Sequence, residues 1–153
     1  QPIIDAAPEP EIADDEDNEK SAMQRLAELN VPQKMSRATK GTREERAILI
    51  RDPNKLIAVA VLSSPKLTDS EVEAIAKMSS VSEEILRIIA TNRNWMKNYV
   101  VASALARNPK TPLAVSMNLL NRLNEKDLRT LSTNRNVPEV LRASARKKFV
   151  MDK

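Results

Sequence analysis

The chain has no cysteine and no histidine. Without cysteine there is no disulfide framework, no thiolate metal site and no cysteine nucleophile. Without histidine the commonest general base and the commonest metal ligand are missing. Glycine occurs once, at Gly41, and the aromatics are Trp95, Tyr99 and Phe149 alone. So little glycine beside so much Ala, Leu, Glu, Lys and Arg argues against a β sandwich or barrel and for helix. No apolar run approaches 18 residues, so no membrane insertion is expected. No signal-peptide pattern is read, and a cytoplasmic location is the expectation.

What the 153 residues do contain is unevenly spread. Residues 1–19 hold eight acids, three prolines and no base. The remainder keeps 13 of the 21 acids against all 25 bases, a net of +12. An overall charge of +4 therefore conceals an acidic tail joined to a basic body. Residues 1–19 have little to bury, which predicts a disordered acidic tail. Residues 20–41 are expected to form N-terminal helices that pack on, or lead into, the rest. A helix is expected from near Asn18 to Leu29, broken by Asn30-Val31-Pro32. A short one follows through Met35 and Ala38. Gly41 stands where a helix C-terminus favours a left-handed residue.

From Thr42 onward the chain reads as a series of helix starts. Thr42-x-x-Glu45, Thr68-x-x-Glu71, Ser80-x-x-Glu83 and Asn136-x-x-Glu139 have capping-box spacing. Asp52-Pro53 and Thr111-Pro112 pair an N-cap with proline at the first helical position. Asn94 and Asn124 complete the set of caps. From Asp52 the intervals are 16, 12, 14, 17, 13 and 12 residues, a long-short-short pattern that occurs twice. Residue identities agree with it. Thr91-Asn92-Arg93-Asn94 returns as Thr133-Asn134-Arg135-Asn136, and Ser64-Pro65-Lys66 returns as Asn108-Pro109-Lys110. The spacing predicts three-helix repeats over residues 42–150. The helix at 54–63 is apolar almost all round and is expected to be buried. The last helix, from Val137, carries Arg142, Arg146, Lys147 and Lys148 and reads as a polar closing cap.

A three-helix unit of 42–44 residues is similar to an armadillo or HEAT repeat. The segment Ala102–Pro112, an Ala-rich helix followed by Asn-Pro-Lys-Thr-Pro, resembles the leucine-rich repeat variant. These resemblances imply an all-α fold, a short right-handed α-solenoid of about two and a half repeats. Peptide-binding armadillo proteins place Asn and Trp on their third helices, but residues 82–91 and 125–132 contain neither, so that ladder is not carried over. The iron–sulfur cluster of one leucine-rich repeat variant protein sits on cysteines and is excluded here.

The repeat pairs basic residues: Lys66 with Lys110, Arg87 with Arg129, Arg93 with Arg135. On neighbouring repeats such pairs would stand roughly 10 Å apart, the spacing of packed helices. With Trp95, these are the candidate partner-binding residues. The competing reading is structural: asparagines cap helices, and cations near helix C-termini complement dipoles. Tyr99 is expected in the core. The acidic tail is a solubility segment or a competitor for the basic row.

No His, no Cys, no Gly-rich phosphate loop and no recognisable acid pair leave no catalytic constellation, so no enzyme, cofactor or metal is expected. The expected function is a non-catalytic protein–protein interaction scaffold binding another protein or an acidic peptide. The alternative is sequence-independent binding of a nucleic-acid phosphate backbone, since base stacking would need aromatics. A scaffold should show apolar residues beside its bases; a phosphate binder should show an uninterrupted basic face.

Overall fold

The computed structural model describes residues 15–151, and among them every regular element is a helix. Eleven α-helices divide between two compact units, one up to Pro65 and one from Lys66 onward.

The first unit contains α1 (Asp15–Ala27), α2 (Val31–Lys40), α3 (Arg43–Leu49) and α4 (Lys55–Leu62). Helix α1 starts at Asp15, so five residues of the stretch read as a tail are helical, while residues 1–14 lie outside the described residues. Ala22 and Leu26, one turn apart, are buried, and α1 packs on α3. Helix α1 ends at Ala27, and Asn30 is the N-cap of α2. Its side chain accepts from the Gln33 amide while Gln33 Oε1 accepts from the Asn30 amide, a capping box that the expected break at Asn30 did not include. Helix α2 packs on α3 and α4.

Gly41 overturns one expectation. Its φ of −78° and ψ of −168° are extended, not left-handed. Glycine is needed here for space. A Cβ at Gly41 would lie 2.5 Å from the Arg37 carbonyl oxygen and 2.5 Å from Glu45 Oε1. Thr42 then caps α3 with the expected capping box.

Helix α4 corrects a second expectation. Ile57, Ala58, Val61 and Leu62 are buried, but Leu56 is 69% exposed. An all-round apolar composition records hydrophobicity and not which face meets a partner. The cap of α4 is also displaced. Asp52 Oδ1 accepts from the Asn54 amide, and Asn54 caps the helix by accepting from the Leu56 amide. Asp52 thus closes a local turn through Pro53 rather than capping the helix.

The second unit contains α5 (Asp69–Lys77), α6 (Glu83–Thr91), α7 (Arg93–Met96), α8 (Tyr99–Arg107), α9 (Leu113–Leu119), α10 (Glu125–Ser132) and α11 (Glu139–Met151). Thr68 and Asn124 cap α5 and α10 as expected. The N-cap of α6 is Ser82, not Ser80, since the Ile85 amide is bonded to Ser82 Oγ. Pro112, not Thr111, occupies the N-cap of α9; Thr111 Oγ1 is buried without a hydrogen-bond partner. Asn98, not Asn94, caps α8. Asn54 and Asn98 are 44 residues apart, the same shift as Ser64 and Asn108.

Helix α8 is the hub of this unit, packing on α5, α6, α7 and α9. Val101 through Ala106 are all buried, and the small side chains of Ala102, Ser103, Ala104 and Ala106 let neighbouring helices approach. Helix α11 packs on α9 and α10. The two units share a local device. Ser64 Oγ donates to the Thr39 carbonyl near the end of α2. At the equivalent place in the second unit, Asn108 Nδ2 donates to the Ala76 and Met78 carbonyls at the end of α5. Each satisfies carbonyls that a helix C-terminus leaves without an intrahelical partner.

Candidate functional site

The two copies of Thr-Asn-Arg-Asn fold differently, and the difference builds a cleft. In the first copy, Asn92 Oδ1 accepts from the Trp95 amide and the Met96 amide donates to the Asn92 carbonyl. That closes the short helix α7. Four residues after Asn134 stands Pro138, which has no N–H to donate. Proline also disfavours helical backbone at Val137. The second copy therefore stays a turn, in which Asn134 Oδ1 accepts from the Asn136 amide. Asn136 is accordingly not a cap; the Leu141 and Arg142 amides return to the Pro138 carbonyl. The Asn134 carbonyl keeps a long bond from the Val137 amide, at 3.5 Å, and takes a second from Arg142 Nη1 at 3.3 Å, which also bonds the Val137 carbonyl.

The turn, the end of α10 and the start of α11 line a cleft of about 450 Å³ with Ser132, Thr133, Arg135, Glu139, Arg142 and Arg146. Arg142 pairs with Glu139 through Nε and Nη2. Arg146 Nη2 bonds the Ser132 carbonyl at 3.3 Å. Arg135 is exposed and makes no hydrogen bond or ion pair among the described residues. A second basic cleft, of about 350 Å³, lies between the ends of α5 and α8, lined by Lys77, Ala104, Arg107, Asn108 and Pro109.

The other candidate residues are dispersed. Arg87 pairs with Glu83 at 2.7 Å, four residues back on α6. Arg129 pairs with Glu125 at 3.4 Å on α10, and its guanidinium also lies 5.5 Å from the centre of the Phe149 ring of α11. Each arginine thus makes an exposed ion pair with the acid one helical turn before it. Arg93 opens α7 and is exposed, and Trp95 on the same helix is half-buried. Lys66 is exposed. Lys110 is exposed, and its amide is bonded to Asn108 Oδ1. Of the seven, the cleft takes Arg135. Arg142 and Arg146, which complete it, read in the sequence as dipole-complementing cations. Their spacing of four residues places both on one helical face, a signal that the reading as a polar closing cap passed over.

Tyr99 is a brace. Its hydroxyl donates to Asp127 Oδ2 at 2.6 Å and accepts from the Asn124 amide at 2.9 Å, tying α8 to the start of α10. Burial first, opposed by the Asn124 amide and assisted by the Asp127 carboxylate, holds this phenol above its usual pKa.

A further pattern escaped the sequence. Leu56, Val100 and Val140 are 69%, 40% and 50% exposed, and each is the second residue of its helix, α4, α8 and α11. Those three helices have corresponding neighbours. Helix α4 packs on α2 and α3, α8 on α5 and α6, and α11 on α9 and α10.

No protein-family model, curated protein or solved structure matches the chain. No helix among the described residues is long and apolar enough to cross a membrane.

Proposed function

We propose that the protein is a non-catalytic, cytoplasmic scaffold that binds another protein through a surface of helical repeats, in the manner of a short right-handed α-solenoid. The observation that carries this reading is the recurrence of an exposed branched apolar residue at one position of three corresponding helices, as Leu56, Val100 and Val140. Single exposed apolar side chains are ordinary. Three at matched helix positions, each on a helix that packs against two earlier helices of its own unit, supply repeated contact points of the kind partner surfaces use.

The pairing of the bases supports the same choice over a phosphate-backbone binder. Arg87, Arg129 and Arg142 each pair with an acid on their own helix. Such alternation interrupts the continuous positive track that nucleic-acid binding requires.

The test is affinity capture from a native lysate, with the whole chain compared against the variant Leu56→Asp/Val100→Asp/Val140→Asp, whose helicity is checked by circular dichroism. The expected result is one or a few proteins that survive nuclease and are lost from the variant. Capture that the variant leaves intact overturns the apolar surface. Capture that vanishes with nuclease, or falls steeply with salt, moves phosphate-backbone binding to first place.

A further inference from the structure

We infer that the cleft between the end of α10 and the start of α11 is a receptor for a phosphorylated serine or threonine side chain of the partner protein. This rests on the scaffold reading and names the chemistry that such a partner would present.

The donors make the case. An arginine has five N–H donors and cannot lose its charge in the accessible pH range. Arg142 has four committed, two to the Asn134 and Val137 carbonyls and two to Glu139. It holds the turn in shape and adds charge. Arg146 commits one donor, to the Ser132 carbonyl. Arg135 commits none among the described residues. The Ser132 and Thr133 hydroxyls donate back to the Arg129 and Thr130 carbonyls of α10, so the guanidinium groups are left to recognise a ligand.

Charge and size select the ligand. Three guanidinium groups and the Glu139 carboxylate leave the cleft lining at about +2. A phosphorylated side chain carries about −1.5 to −2 near neutral pH and offers three acceptor oxygens. A carboxylate brings about half that charge and two acceptor oxygens, so it gains less from a net positive lining. A volume of about 450 Å³ admits one phosphorylated side chain. A nucleic-acid strand would need the positive surface to continue along its backbone, whereas Arg129 on α10 is already engaged by Glu125 and Phe149.

The arrangement follows from one residue. Pro138 removes the donor that closes a helix in the first Thr-Asn-Arg-Asn copy. Arg142 joins the Val137 amide on the Asn134 carbonyl, and Arg135 is left on a turn beside Arg142 and Arg146 instead of opening a helix as Arg93 does.

The experiment titrates the isotope-labelled full chain with N-acetyl-phosphoserine methylamide at 150 mM salt and follows amide resonances. N-acetyl-serine methylamide, inorganic phosphate and a single-stranded oligonucleotide run as parallel probes. Saturable shifts centred on residues 132–146 are expected with phosphoserine, with none from the serine compound. Inorganic phosphate should shift the same amides. Arg135→Ala should weaken binding about tenfold, the loss of one charge-assisted pair. Arg135 has no intramolecular partner among the described residues, so folding should be untouched. Glu139→Gln should tighten binding, which a purely structural role for these arginines does not predict. Shifts spread over Lys77 and Arg107, or indifference to Arg135→Ala, would overturn the assignment. An oligonucleotide that moves the same residues more strongly would transfer the cleft to a nucleic-acid backbone. If phosphoserine fails while nuclease-resistant capture persists, the scaffold survives and this cleft assignment falls. If capture fails while the cleft binds, the scaffold reading is at fault.

Discussion

Replacing Gly41 by alanine should destabilise the protein, contrary to the usual effect of that change. At φ −78° and ψ −168° alanine is conformationally permitted. Restricting the unfolded chain would then stabilise by about 0.4–1 kcal/mol. Space decides the opposite sign. The added Cβ would sit 2.5 Å from the Arg37 carbonyl oxygen and from Glu45 Oε1, so each must retreat by about 1 Å to reach ordinary contact. Neither is free to move. The carbonyl accepts the Gly41 amide at 2.8 Å. The carboxylate is 2% exposed and receives the Thr42 amide at 2.9 Å and Arg37 Nε at 3.1 Å. Overpacking of this kind costs about 1–3 kcal/mol, and weakening the charged hydrogen bonds adds about 1.5–3 kcal/mol. After the entropy gain a net loss of about 1.5–5.5 kcal/mol remains, or roughly 3–22 °C in Tm. Urea unfolding followed by circular dichroism measures it. Two controls isolate the cause. Gly41→Asn should be no better than alanine, whereas a left-handed cap would favour asparagine. In a Glu45→Ala background the penalty should shrink by about 0.5 kcal/mol or more, because one of the two collisions is gone. A neutral or stabilising Gly41→Ala, or an asparagine variant clearly better than alanine, would refute the reasoning.

Tyr99→Phe removes the hydroxyl between Asp127 and the Asn124 amide and should cost about 1–3 kcal/mol, measured by the same unfolding curves. Asn108→Ala strips the Ala76 and Met78 carbonyls of their donor and frees the Lys110 amide, so about 2–4 kcal/mol should be lost, with faster hydrogen exchange at the end of α5. Stability should also depend on pH through Glu45. Burial raises its pKa, but the Arg37 hydrogen bond, the Thr42 amide and the charges of Arg37 and Arg25 outweigh burial and lower it overall. A lowered folded pKa stabilises fully above the unfolded value of about 4.3 and is lost as pH falls through the folded value. Unfolding free energies at successive pH values below about 4.5 should therefore decline more steeply for wild type than for Glu45→Gln; equal slopes would remove Glu45 from that role.

The sequence by itself determined that the described chain is helical and, at three positions, where a helix starts. Thr42, Thr68 and Asn124 cap helices as their spacing implies, because a capping bond joins atoms two or three residues apart and needs no distant partner. Even the divergence of the two Thr-Asn-Arg-Asn copies is local, since Pro138 lies within one turn of Asn134. The displaced caps at Asn54, Ser82 and Asn98 show where several polar residues compete for one helix start. What only the tertiary structure decided is which atoms from separate segments approach each other. Gly41 is confined by Arg37 on α2 and Glu45 on α3. Leu56 is exposed because of the face that α4 turns to its neighbours. Arg129 is committed to Phe149 of another helix, and Arg135, Arg142 and Arg146 share a cleft. Hydrophobicity and charge are properties of a residue; burial and pairing depend on the helix packed against it, and one sequence position does not carry that information.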